Sequence, residues 1–143
     1  AFKIVHQKNI KTKLICVGDG DLYNEIIEYS KILSLQDSVI FTGSKQDVIS
    51  YYNSADCFVL SSAWEGFGIV LAEAMACELP VISTDCGGTK EVVQNDSYLV
   101  PIKSPEKLAE KMLEVSLLSV NQIEKIGKEN REKTCKFETF SVK

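Results

Sequence analysis

Short apolar runs recur along this chain, each closed by glycine or a polar turn and followed by a stretch of helical spacing. Phe2 and Val5, with Ile4 beside them, have helical spacing up to Lys8, and no capping residue precedes them, so the stretch reads as the tail of a helix whose start is missing. Lys13 to Val17 reads as a buried strand that ends in the turn Gly18-Asp19-Gly20, and Asp21 is placed to cap a helix through about Leu35 with Leu22, Ile26, Ile27 and Tyr29 or Ser30 inward. Val39 to Thr42 is a second strand stopped at Gly43, followed by a helix over about Asp47 to Asn53. Cys57 to Leu60 is a third strand, and the segment from Ile69 to Cys77 is a helix apolar on nearly every side. Val81 to Thr84 is a fourth strand behind Pro80, Gly87-Gly88 leads to a short helix from Thr89 to Gln94, and Tyr98 to Val100 is a short fifth strand. Beyond Ser104, an N-cap candidate with Pro105 at the first helical position, the pattern is helical only. Leu108, Met112, Val115 and Leu118 form one stripe, and a second helix starts near Val120 with Glu124/Lys128 and Glu129/Lys133 spaced as ion pairs.

Strands that are near-continuous apolar runs, alternating with helices, specify an α/β fold: a doubly wound, Rossmann-like parallel sheet of about five strands with helices on both faces. The expected division is a Rossmann-like domain over 1–118 and a C-terminal helical extension over 119–143 packing on it. In such sheets ligands bind outside the carboxyl ends of the strands. The residues there are Gly18 to Gly20, Gly43-Ser44-Lys45, Ser61 to Gly68 and Asp85 to Thr89.

Composition narrows the partners more than the fold. With 143 residues, 45% hydrophobic and 25% charged, the chain has the size and make-up of a single globular domain. A net charge of −4 argues against nucleic acid. No apolar run approaches the ~20 residues of a membrane span, and no secretory signal is visible. The five cysteines are odd in number and lack metal-ligand spacing. Cys16, Cys57 and Cys77 sit in apolar runs, where cysteine acts as a small buried hydrophobe, and this favours a reducing compartment.

The stretch from Ser61 to Cys77 carries the most chemistry. Gly66 and Gly68 flank Phe67 at a strand-to-helix turn, where glycine lets a ligand approach the backbone closely. The helix behind that turn offers free N–H groups at Phe67 to Val70, which suits a phosphate. Glu65 in the turn would repel phosphate, so a neutral hydroxylated group is its better partner. Glu73, one turn inside the helix, tilts back toward the glycines and could hold two adjacent hydroxyls such as a ribose diol. It could equally bond the N–H groups of a neighbouring loop, and the residues alone leave both open. From Ser54 to Thr89 there is no Lys or Arg, whereas Asp56, Glu65, Glu73, Glu78 and Asp85 are acidic. Cations for a diphosphate must therefore come from Lys45, from Lys90 or from protein outside this chain.

Glu65-Gly66-Phe67-Gly68 followed by Glu73-Ala74-Met75-Ala76, Pro80-Val81-Ile82 and Gly87-Gly88-x-x-Glu91 resembles the large retaining glycosyltransferase family of the GT-B fold, family 4, also described as glycosyl transferases group 1. Val17-Gly18-Asp19-Gly20, Val39-x-Phe41-x-Gly43 and Ala55-Asp56-x-Phe58-Val59-x-x-Ser62 resemble its neighbouring turn and strands, so the resemblance runs from residue 1 to about 118. It implies an N-terminally truncated C-terminal domain that binds the nucleotide-sugar donor, of UDP, GDP or ADP type, with no cofactor and no metal. Glu65 would be the catalytic residue, contacting the donor's sugar hydroxyls. Gly66, Phe67 and Gly68 would line the hexose and diphosphate, and Ile69 and Val70 would give N–H groups to phosphate. Glu73 would bind the ribose diol, and Gly43, Ser44 and Lys45 would border the nucleobase.

The resemblance also implies what this chain lacks. The family's Arg and Lys that clamp the diphosphate precede the helix ending at Lys8, and the N-terminal acceptor domain is absent, so the fragment alone is expected to be inactive. The whole protein would move a sugar to an acceptor hydroxyl with retention, as in polysaccharide biosynthesis, in the cytoplasm, with peripheral association at the inner membrane face through the absent domain. His6 matches no family position and is expected at the surface. Glu78 stands where the family has glycine, and is expected to lose the left-handed helix cap. Alternatives are a nucleotide-sugar epimerase of the same architecture and a non-catalytic nucleotide-binding module. A phosphoacceptor signalling domain needs an aspartate at the carboxyl end of its third strand, and Asp56 is at the other end.

Overall fold

The apolar runs form five strands, all paired in parallel. In the computed structural model, which describes residues 1–138 with side chains through 136, they are β1 (Leu14–Val17), β2 (Val39–Gly43), β3 (Phe58–Leu60), β4 (Val81–Thr84) and β5 (Leu99–Val100). The helices are α1 (Phe2–Lys8), α2 (Tyr23–Ile32), α3 (Ile49–Asn53), α4 (Ile69–Ala76), α5 (Thr89–Val93), α6 (Pro105–Ser116) and α7 (Val120–Glu138). The last five residues of the extension foreseen over 119–143 lie outside the described residues. The fold is α/β, with strands and helices alternating as the sequence pattern requires. The ladder bonds fall in two groups, β1-β2 and β3-β4-β5, and these belong to two compact units, Ala1–Val48 and Ile49–Lys143.

In the first unit Leu14 pairs with Val39, Ile15 with Ile40 and Cys16 with Phe41. The carboxyl ends are drawn together by Gly18 N–H, which donates to Gly43 O at 2.9 Å. Gly43 has φ +67, a left-handed turn conformation that L side chains rarely adopt. The inward face of α2 departs in part from the sequence reading. Leu22 is the N-cap, with Asp21 making no cap, and Leu22, Ile26 and Tyr29 are exposed. Ile27 and Ser30 do face inward as foreseen, joined by Tyr23, whose ring stands edge-on to Phe41 at 6.0 Å. His6 is not a surface residue. It is half-buried against the Phe2 ring, with Nε2 3.2 Å from Ser38 Oγ.

In the second unit β4 lies between β3 and β5, and all four of its residues are buried. Leu71, Met75, Ile82, Val81, Val92 and Val93 are the large, fully buried apolar side chains around it. α4, apolar on nearly every side in sequence, is buried on one face only. Leu71, Ala74 and Met75 are buried, while Ile69 is 66% and Val70 37% exposed, and Glu73 and Ala76 are also exposed on that open face. Apolar composition expresses a preference for leaving water but does not say what covers each side.

The C-terminal end of α4 corrects the reading of Glu78. Leu79 N–H donates to Ala74 O and Glu78 N–H to Met75 O, the paired bonds of a Schellman cap. Glu78 takes the left-handed φ of +61 itself, so the cap survives the loss of glycine. α7 closes over this point: Asn130 Nδ2 donates to Leu79 O at 2.7 Å, and Arg131 pairs with Glu78 at 3.0 Å. Among the pairs foreseen on α7, Glu129 pairs with Lys125 at 3.9 Å, and Lys133 instead donates to Val93 O at 3.1 Å. No described helix is long and apolar enough to cross a membrane.

Candidate functional site

In the second unit, the carboxyl ends of β3 and β4 each run into a loop, and the two loops are hydrogen-bonded to each other. From β3 comes Ser61 to Gly68; from β4 comes Asp85 to Gly88. Thr84 Oγ1 donates to Ser62 O at 2.5 Å, and Gly88 N–H donates to Gly66 O at 3.0 Å. Cys86 Sγ lies 3.4 Å from the same Ser62 carbonyl. The β4 loop is itself pinned from below by Thr89, which is fully buried. Its Oγ1 accepts from Cys86 N–H at 3.2 Å and lies 2.9 Å from Thr84 O and 3.0 Å from Cys86 O.

This stacking leaves no room for side chains where the loops touch. A Cβ on Gly87 would fall 1.7 Å from Glu65 O, and one on Gly88 would fall 2.4 Å from Gly66 O. Gly87 also has φ +51. Glycine is therefore required twice over at Gly87, by contact and by backbone angle.

The turn feeds α4 through Gly68, whose φ of +75 makes it a left-handed N-cap without a side-chain bond. Leu71 N–H is bonded back to Gly68 O at 2.9 Å, so the amides of Ile69 and Val70 open the helix ahead of the first bonded turn. Trp64, Phe67, Ile69 and Val70 are exposed around that opening, giving it an apolar rim.

The two carboxylates are held differently. Glu65 is half-buried, and its Oε1 accepts from Ser62 Oγ at 2.6 Å. Glu73 is exposed, and its Oε2 accepts from Tyr52 Oη at 3.0 Å. Neither forms an ion pair among the described residues. Tyr52 is a buried phenol whose pKa is pushed well up, first by burial and then by its bond to Glu73. The Cys57 thiol on the chain leading into β3 is pushed up to about 12 by burial and by Asp56 beside it, which leaves it protonated and unreactive. Lys90, one of the cations considered for the diphosphate, is paired with Asp96 at 3.1 Å, and that bond raises its pKa.

The structure thus brings together Glu65, Gly66, Phe67, Gly68, Ile69, Val70 and Glu73 on one turn and the helix it starts. Gly43, Ser44 and Lys45 belong to the other unit, at the carboxyl end of β2, with Ser44 and Lys45 exposed. Sequence reading passed over Tyr52, Ser62, Thr84 and Thr89, which hold the motif in place. Ser62 and Thr84 had a usable signal, being hydroxyl residues where apolar strands end. No group of His, Cys, Asp or Glu among the described residues is arranged to hold a metal ion.

Residues 1–133 match the family model for glycosyl transferases group 1. The chain belongs to that family. Among its relatives in the glycosyl transferases group 1 family, N-acetyl-alpha-D-glucosaminyl L-malate synthase of Bacillus anthracis is 35% identical over 108 residues, which are 74% of this chain and 28% of the relative. A glycosyltransferase structure from Rickettsia africae superposes with a TM-score of 0.85 at 25% identity, covering 94% of this chain and 38% of that one. The Anabaena protein HepE, solved in complex with UDP and glucose, superposes with a TM-score of 0.84 at 23% identity, covering 99% of this chain and 44% of that one. The chain spans under a third of the length of the curated relatives it matches first.

Proposed function

We propose that this chain is the donor-binding half of a retaining, metal-independent glycosyltransferase that uses a nucleoside diphosphate sugar. The observation that carries the reading is the pinned turn. Gly87 and Gly88 lie against the backbone of Glu65 and Gly66, so one carboxylate is fixed before the open end of α4 and the other one turn behind it. That order matches the order of groups in the donor. Glu65 meets the hydroxyls of the sugar, the amides of Ile69 and Val70 meet phosphate, and Glu73 meets the ribose diol. Gly66, Phe67 and Gly68 line the sugar and diphosphate. A fold neighbour solved with UDP and glucose supports a donor of this class.

In the transfer, the bond between the sugar's anomeric carbon and the β-phosphate oxygen breaks, and its electron pair stays with the leaving diphosphate. The acceptor oxygen bonds to the same face of that carbon and gives its proton to the leaving β-phosphate oxygen. The positive end of the α4 dipole lies where the leaving charge grows, and preorganised dipoles of this kind stabilise it without reorganisation. Glu65, already hydrogen-bonded to Ser62, orients the sugar and stabilises positive charge on its ring as the bond breaks. The acceptor and the remaining cations come from an N-terminal domain of the same protein, so the fragment alone is inactive.

The test is donor turnover by the intact protein against a panel of UDP-, GDP- and ADP-sugars. Glu65→Ala lowers kcat by about 10- to 100-fold, and Glu73→Ala raises the donor KM by about tenfold with little change in kcat. Unchanged turnover in Glu65→Ala would remove the role given to that residue.

A further inference from the structure

We infer that Tyr52 is a positioning residue for the donor, its hydroxyl fixing one oxygen of the Glu73 carboxylate so that the other is presented to the ribose. This rests on the ribose role of Glu73 argued above and adds to it the device that sets the carboxylate's direction. Tyr52 sits on α3, 9% exposed, with its ring edge-on to Phe58 at 5.6 Å and an interplanar angle of 72°. The ring is therefore held by β3, not by Glu73. Its hydroxyl donates to Glu73 Oε2 at 3.0 Å and lies 3.5 Å from Val70 O, one turn earlier on α4.

Glu73 needs such a partner. It is exposed on an otherwise apolar helix face, and no other side chain among the described residues hydrogen-bonds it. A glutamate without a fixed contact samples many rotamers, and a ligand that must select one binds more weakly for it. A hydroxyl on a rigid, buried ring removes that freedom in advance. It also leaves the carboxylate open to solvent on one side, where a diol would bind. The phenol serves as donor in this pair, because burial and the adjacent carboxylate both oppose its ionisation.

The experiment measures nucleotide binding to the intact protein by calorimetry, using UDP, GDP and ADP and the 2′-deoxy counterpart of whichever binds best. Wild type, Tyr52→Phe, Glu73→Ala and the double variant are compared. The phenylalanine keeps the ring and its packing on Phe58, and a thermal melt within about 2 °C of wild type establishes that the fold is intact. The ribonucleotide should bind about tenfold more tightly than its deoxy counterpart in wild type, and about threefold or less so in Tyr52→Phe. Tyr52→Phe should have no further effect once Glu73 is alanine, because the two residues act as one unit. A Tyr52→Phe variant that weakens both nucleotides equally, or that weakens binding just as much in the Glu73→Ala background, overturns the inference and leaves Tyr52 as a staple between α3 and α4. Unchanged ribose preference in Tyr52→Phe with loss of preference in Glu73→Ala overturns it too, with the ribose role of Glu73 intact. Unchanged preference in Glu73→Ala overturns that role itself, and this inference with it.

Discussion

At the scale of single residues, close backbone contact at two glycines sets how near the two loops of the site can lie. Gly87 decides whether the β4 loop can lie on the Glu65 turn, since any Cβ there would stand 1.7 Å from Glu65 O. Gly87→Ala must push the two loops apart and also strain a φ of +51. The expected cost is about 2–4 kcal/mol of stability, read by urea unfolding, together with loss of donor turnover. A variant that unfolds within about 0.5 kcal/mol of wild type would mean the loops separate freely. The glycine pair itself was legible in the sequence as a turn at a strand end. That it presses on Glu65 was not, because the contact joins residues more than twenty positions apart and is made by a carbonyl oxygen, which every residue has. The same holds for the hydroxyl bonds of Thr84 and Tyr52: their partners were visible in sequence, but their pairing was not.

At the scale of elements, the joint between α4 and α7 shows where local rules give the wrong sign. Gly127 lies within α7, where glycine is usually less favourable than alanine by about 1 kcal/mol. By propensity alone, Gly127→Ala should stabilise the protein. Its Cβ would stand 2.2 Å from Glu78 O, however, so α7 would have to lift off the cap of α4. The bonds from Asn130 to Leu79 O and from Arg131 to Glu78 would stretch with it. We expect Gly127→Ala to lower stability by about 1–3 kcal/mol, measured by chemical denaturation, and an increase would show that α7 can shift without loss. The cap itself tells a related story. Sequence reading expected glutamate at Glu78 to lose the left-handed turn, because a Cβ disfavours it by roughly 1–2 kcal/mol. The turn persists because the Schellman bonds and the α7 contacts over-determine it. The elements in general were readable, since apolar runs bounded by glycine and proline mark parallel strands. The inward face of α2 was readable only in part: Ile27 and Ser30 face inward, but Leu22, Ile26 and Tyr29 are apolar yet exposed.

At the scale of the whole molecule, charge decides what the chain can bind unaided. It carries a net charge of −4, and the segment from Ser54 to Thr89, which contains the turn, α4 and β4, has five acids and no lysine or arginine. The nearest cation along the chain, Lys90, is engaged by Asp96. A nucleoside diphosphate brings two to three negative charges to a helix end that supplies only a partial positive one, and a helix terminus contributes about 0.3–1 kcal/mol per charge at an exposed site. The ribose bonding proposed for Glu73 would add about two hydrogen bonds of about 1 kcal/mol each. Together these amount to roughly 2–5 kcal/mol, and the loss of translational and rotational freedom on association costs about 4 kcal/mol or more, so the net falls short of the roughly 4 kcal/mol that a 1 mM dissociation constant represents. The 143-residue chain should therefore bind UDP, GDP or ADP no more tightly than about 1 mM by calorimetry, and the intact protein much more tightly. On the proposed function, the added affinity should fall as salt rises, because it would come from cations outside this segment acting on the diphosphate. Tight, salt-insensitive binding by the isolated chain would mean that α4 and its glycine turn hold the phosphates without those cations.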